Sequence, residues 1–308
     1  MRIIFFGTPK FAIPSLKALL ESEEEIAAVV TQTDKKAGRG RIFQPSPVKE
    51  LAISSGIKIL QPANINDFSF LNELTAIKPD MIIVVAYGKI LPQHILKLPP
   101  FGCINVHASL LPKYRGAAPI QWAIINGEEL TGVTTMLMDK GLDTGDIMLQ
   151  EKTEISNEDN AETLSKKLSE TGALLLIKTI SGLKDDSVKP APQEGIPSYA
   201  PPLKKEDGKI DWTKSAKEIF NLVRGLYPWP CAYCYLNKER IKIIKVKALE
   251  GTGISRRIER AGKEELVIGT GKGLISIIEL QPEGKRTMSA VSFLQGRKLE
   301  EEVFLNEP

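Results

Sequence analysis

Two histidines, His94 and His107, are available for chemistry in this 308-residue chain. His107 stands in Asn105-Val106-His107-Ala108-Ser109-Leu110-Leu111-Pro112, where the short apolar run Cys103 to Val106 ends. If that run is a strand, residues 105 and 107 project to one face. A carboxamide then sits beside an imidazole, a group that can accept, donate or carry a proton. Such a pair can donate to a developing oxyanion or move a proton. It also suits a structural histidine with a polar neighbour, and both readings stay open here. Asp143 lies in Gly141-Leu142-Asp143-Thr144-Gly145-Asp146, just after Asp139. A carboxylate between glycines is an ordinary turn residue, or the group that orients an imidazole and balances its cationic form. Spacing along the chain does not separate these. Ser109 precedes Leu110-Leu111-Pro112 without a Gly-x-Ser-x-Gly elbow, so a turn or binding role is expected rather than a nucleophile.

Other motifs carry less. Gly7-Thr8-Pro9 lacks the second and third glycines of a dinucleotide fingerprint. Gly269-Thr270-Gly271-Lys272-Gly273 lies between two strand patterns and reads as a hairpin turn rather than a phosphate loop. Cys231-x-x-Cys234 has no second cysteine pair or nearby histidine, so packing is expected.

The elements that position these residues follow from apolar periodicity. Apolar runs at 2–6, 26–31, 57–60, 81–86 and 103–106 alternate with helical patterns such as 47–54 and 70–77. That alternation predicts an α/β fold, a Rossmann-like, mostly parallel sheet with helices on both faces. Residues 160–183 read as one long amphipathic helix. Prolines at 190, 192, 197, 201 and 202 mark 188–206 as an extended linker. The expected division is a catalytic domain at 1–187, the linker, and a second domain at 207–308. The second reads as a helix at 215–224 followed by short strands, an OB-like β-barrel.

Charge separates the two halves. Residues 1–205 carry 23 basic and 23 acidic side chains, whereas 206–308 carry 18 and 15. Four of those 15 acids fall in the last nine residues. A basic second half suits a polyanionic partner. Asp34-Lys35-Lys36-Ala37-Gly38-Arg39-Gly40-Arg41 puts four cations and two glycines in one loop, either a solvated loop or one that pairs with phosphates. No stretch approaches the roughly 18 apolar residues of a membrane helix, and three cysteines do not make a disulfide framework. A cytoplasmic monomer, off the membrane, is the expectation.

Together, Asn105-x-His107-x-Ser109-Leu110-Leu111-Pro112, Tyr114-Arg115-Gly116, Pro119-Ile120-Gln121 and Leu142-Asp143-Thr144-Gly145-Asp146 resemble the signature of the 10-formyltetrahydrofolate-dependent formyltransferases. Phe6-Gly7-Thr8-Pro9, Pro228-Trp229-Pro230 and the two-domain layout extend the resemblance to the whole chain; Cys231 and Cys234 fall outside the pattern. The resemblance implies that the α-amino group of methionine esterified to initiator tRNA attacks the formyl carbon of 10-formyltetrahydrofolate, without a metal. Asn105 and His107 would donate to the oxyanion, and His107 and Asp143 would relay protons. Whether His107 is mainly base or cationic stabiliser stays open. The resemblance also implies a folate site lined by Ser109, Leu110, Leu111 and Pro112, with the loop Tyr87, Gly88, Lys89 and Ile90 as its other wall. Lys35, Lys36, Arg39 and Arg41 would contact the acceptor stem of the tRNA. Lys242, Lys245, Lys247, Arg256, Arg257 and Arg260 of the second domain would hold more of the tRNA body.

Overall fold

The computed structural model describes residues 1–37, 42–261 and 265–295. It divides into two compact units that are not continuous in sequence: residues 1–119, 130–154 and 165–200 form the first, and 120–129, 155–164 and 201–308 the second. Elements up to the long helix are β1 (Arg2–Gly7), α1 (Ile13–Leu20), β2 (Glu25–Val30), β3 (Lys35–Ala37), β4 (Ile42–Gln44), α2 (Pro47–Ser54), β5 (Ile59–Leu60), α3 (Phe68–Ile77), β6 (Met81–Val85), α4 (Gln93–Leu96), β7 (Cys103–His107), β8 (Arg115–Gly116), α5 (Pro119–Ile125), β9 (Leu130–Leu137), β10 (Ile147–Glu154) and α6 (Ala161–Lys184). Then come β11 (Tyr199–Ala200), α7 (Ala216–Gly225), β12 (Ala232–Leu236), β13 (Glu239–Leu249), β14 (Ile258–Ala261), β15 (Leu266–Gly269), β16 (Leu274–Pro282), β17 (Met288–Ser289) and α8 (Ala290–Gln295).

The first unit is built on a seven-stranded sheet in the order β10-β9-β7-β6-β1-β2-β5. The five strands from β7 to β5 are parallel, and β9 and β10 join antiparallel. Buried side chains alternate in direction along a strand, so a strand covered on both faces must be apolar throughout. Ile3, Ile4, Phe5 and Phe6 of β1 and Ile82 and Ile83 of β6 are fully buried, as this requires. One face packs Ile4, Phe6, Val30 and Ile82 against Leu74 of α3 and Ile95 of α4. Local signals set the helix starts: Pro47 opens α2 behind Ser46, whose hydroxyl accepts from the Lys49 amide.

The second unit carries a six-stranded antiparallel sheet, β12-β13-β16-β15-β14 with β17 on β16. Register shifts in β13–β16 and β14–β15 curl it into a half-barrel. α7 starts with a reciprocal capping box between Ser215 and Glu218 and packs Ile219 and Val223 into the core of this sheet. Gly269 pairs with Leu274 across the glycine-rich turn, so that segment is a hairpin. Among the described residues no helix is long and apolar enough to cross a membrane.

Two segments differ from the sequence expectation. The basic stretch after β2 is not wholly loop: Lys35 pairs with Gln44 and Lys36 with Phe43 in a short ladder. The stretch read as a linker holds β11, which pairs in parallel with β8, and Ala191, which exchanges hydrogen bonds with Ile147. Prolines remove donors and discourage helix, but they leave the intervening residues free to join an edge.

Candidate active site

Strand order locates the cleft. From β1 the chain runs through β2 to β5 on one side, then returns to β6 on the other. Ligands of open α/β sheets gather outside the carboxyl ends at such a reversal. Here those ends are Gly7, the last residue of β1, with Thr8 after it, Ala86 to Ile90 after β6, and His107 as the last residue of β7.

His107 is buried, held by a hydrogen bond at one ring nitrogen and facing a carboxylate at the other. Its Nε2 lies 3.0 Å from the Tyr114 carbonyl oxygen, and its Nδ1 lies 3.8 Å from Oδ2 of Asp143. A carbonyl only accepts, so Nε2 carries a proton and donates. The 3.8 Å separation is too long for a direct hydrogen bond and short enough for charge pairing. Oδ2 of Asp143 accepts the Gly116 amide at 2.8 Å. Asn105 shares the strand face, two residues before His107. Its carboxamide is partly exposed and makes no hydrogen bond among the described residues.

The Asp143 loop owes its shape to close approaches. Asp143 itself has φ 52°, a region that non-glycine residues seldom occupy. The Asp139 carboxylate ties the loop by accepting from the Gly141 amide and the Thr144 hydroxyl. A Cβ at Gly145 would stand 1.8 Å from the Leu137 carbonyl oxygen.

The expected folate-binding residues fall into two groups. Ser109 is fully buried and donates its hydroxyl to the Lys113 carbonyl at 2.6 Å, a turn role. The Leu111 amide donates to the Thr134 hydroxyl, which donates to the Ser109 carbonyl. Gln150 donates to the Leu111 carbonyl. Leu111 is buried, and Leu110 and Pro112 are partly exposed. On the other loop the Tyr87 ring is in the core, edge-on to Phe6 at 5.1 Å. Burial pushes its phenol up to about 12. Tyr87 therefore faces this cleft with backbone, and its carbonyl already accepts from Gln32 and Thr8. Gly88 has φ 80° and packs against Gln32, Lys89 donates to the Ala63 carbonyl, and Ile90 is 79% exposed.

Of the expected tRNA contacts, Arg39 and Arg41 lie outside the described residues, and Lys35 and Lys36 are placed through the backbone of β3. The ladder is rooted by Asp34, which accepts from Gln61 and Lys49. Those two bonds hold the Asp34 carboxyl below the usual range. The three cysteines are buried and unpaired.

Several residues that build the site escaped the sequence reading: Thr134, Gln150, Gln193 and Ser198. Each acts through a side-chain bond to a loop distant in sequence, and no local pattern announces that.

Residues 1–180 match the formyl transferase model, and residues 202–298 match that of the formyl transferase C-terminal domain. The chain belongs to the formyl transferase family. A methionyl-tRNA formyltransferase of Thermodesulfovibrio yellowstonii is 57% identical over 299 residues, covering 97% of each chain. That of Pelotomaculum thermopropionicum is 49% identical and covers 100% of this chain and 99% of its own. Among solved structures, WlaRD, a sugar 3N-formyl transferase in the presence of dTDP and 5-N-formyl-THF, is similar with a TM-score of 0.68 at 24% identity. That match covers 93% of this chain and 99% of that one, and it establishes the fold. The formyl transferase chain thus combines a mostly parallel Rossmann-like sheet with a curled antiparallel one, the fold class that the sequence pattern implied.

Proposed function

We propose that the chain transfers the formyl group of 10-formyltetrahydrofolate to the α-amino group of methionine carried by initiator tRNA. The observation that carries this reading is the convergence of His107, its ring 3.8 Å from Asp143, with Asn105 on the same strand face, whose carboxamide makes no hydrogen bond among the described residues. The full-length likeness to methionyl-tRNA formyltransferases supports the choice of acceptor.

The residues divide the work. The amine attacks the formyl carbon, its nitrogen sheds a proton, and the leaving folate nitrogen takes one up. Asn105 has two N–H donors and no competing partner among the described residues, so it suits the oxyanion. His107 spends Nε2–H on the Tyr114 carbonyl, which leaves Nδ1 as the basic nitrogen of the neutral ring. Nδ1 receives the proton from the amine, directly or through water, the Asp143 carboxylate balances the imidazolium that results, and the imidazolium returns that proton to the folate nitrogen as its bond to the formyl carbon breaks. Leu110 to Pro112 and Gly88 to Ile90, at the ends of neighbouring strands, form the two sides of the folate site. Ser109 supports the first by its hydrogen bond to Lys113, and Tyr87 supports the second through its carbonyl. Lys35, Lys36, Arg39 and Arg41 pair with phosphates of the acceptor stem.

The test is a formylation assay with charged initiator tRNA, charged elongator tRNA and an amino-sugar nucleotide, each with 10-formyltetrahydrofolate. Transfer to the initiator alone is expected, falling steeply as salt rises from about 50 to 200 mM. Faster turnover of the amino sugar would reverse the assignment.

A further inference from the structure

We propose that Gln193 is a positioning residue for formyl transfer, gripping the Asp143 loop from a segment whose sequence reads as a tether; this rests on His107 and Asp143 carrying the reaction. Its side-chain oxygen accepts from Arg115 Nη2 at 2.7 Å and Nε at 3.2 Å. Its amide nitrogen donates to the carbonyl oxygens of Asp143 and Gly145, both at 2.8 Å. A guanidinium only donates and a peptide carbonyl only accepts, so the bridging group must do both, and a carboxamide does. Gln193 is partly buried, although residues 191, 192 and 194–197 around it are exposed.

The grip closes a ring. Arg115 precedes Gly116, whose amide holds the Asp143 carboxylate. Asp143 sits at φ 52°, a backbone state that persists where its surroundings over-determine it, and Gln193 bonds its carbonyl and that of Gly145. Further along the same segment, the Ser198 hydroxyl accepts the Tyr114 amide, and the Tyr114 carbonyl meets His107. Residues 193–198 thus hold both members of the catalytic pair, and Gln193 is the contact to the carboxylate's own backbone.

The test compares kinetics of Gln193→Ala, Gln193→Glu and His107→Ala in the full chain. Gln193→Ala is expected to lower kcat by roughly 10–100-fold, because a misplaced catalytic group costs about that much. KM for tRNA and for 10-formyltetrahydrofolate should stay within about twofold, and the pH profile of kcat should change shape. An ionised glutamate keeps the Arg115 contact but cannot donate to the two carbonyls. Gln193→Glu is therefore expected to fail as a rescue, and it carries the test alone if Gln193→Ala does not fold. Parent-like kcat in either variant overturns the proposal, since a merely structural tie to Arg115 survives in Gln193→Glu. If His107→Ala retains activity, the underlying mechanism falls and the clamp with it. If His107→Ala is inactive while the Gln193 variants turn over normally, the clamp alone falls.

Discussion

The Gly116 amide donates to Oδ2 of Asp143 at 2.8 Å, and that same oxygen is the one facing His107 Nδ1. The carboxylate is therefore aimed by the backbone of β8 and not by its own loop alone. Its orientation depends on β8, where Gly116 has φ 123° and a Cβ would stand 2.7 Å from the Ala200 carbonyl oxygen.

His107→Ala and Asp143→Ala are expected to lower single-turnover formylation by at least about 100-fold, the usual scale for a removed acid–base or oxyanion group. Binding of charged tRNA, followed by filter retention, should change less than about twofold. Parent-like transfer in either variant would remove the proposed mechanism.

Asn105→Ala separates chemistry from stability. The carboxamide has no hydrogen-bond partner among the described residues, so the unfolding midpoint in urea should move little. Loss of an oxyanion donor should cost about 100–1000-fold in kcat. A large shift in midpoint with intact turnover would assign Asn105 a structural role.

Gly145→Ala tests the loop geometry. Its Cβ would meet the Leu137 carbonyl oxygen at 1.8 Å, and backbone does not yield cheaply. We expect kcat to fall at least about tenfold and stability to drop by about 1–3 kcal/mol. Thermal denaturation and turnover, measured on one preparation, check both.

Thiol reactivity gives a test independent of activity. Burial pushes the Cys103 and Cys234 thiols up to about 12 and raises Cys231 as well. The thiolate is the reacting species. Alkylation by iodoacetamide at pH 8 should therefore be at least about 100-fold slower at Cys103 and Cys234 in the folded protein than in denaturant. Because the folded values lie above the unfolded one, the stability involved is intact below pH about 8.5 and declines as pH climbs above it. Rapid labelling of native Cys234, read by mass spectrometry, would contradict its burial.

Arg41→Ala is expected to raise KM for tRNA several-fold while KM for 10-formyltetrahydrofolate stays constant, since cations contribute through phosphate pairing. Equal effects on both substrates would count against a tRNA role for the basic stretch.

The amino-acid sequence by itself determined the parallel sheet, the long helix α6 and the hairpin turn at Gly271, because burial on one or two faces imposes its period directly on the residues. It also singled out Asn105, His107 and Asp143, whose types and glycine or strand context mark them locally. Tertiary structure decided what those residues face. The Tyr87 ring turned into the core because Phe6 offers an apolar surface there. Ser109 was committed to the Lys113 carbonyl, and the proline-rich stretch became a strap through Gln193, Ser198 and Tyr199. That strap depends on hydrogen bonds between segments tens of residues apart. A bond of that kind leaves no periodicity in either segment, so it is visible only once the chain has folded.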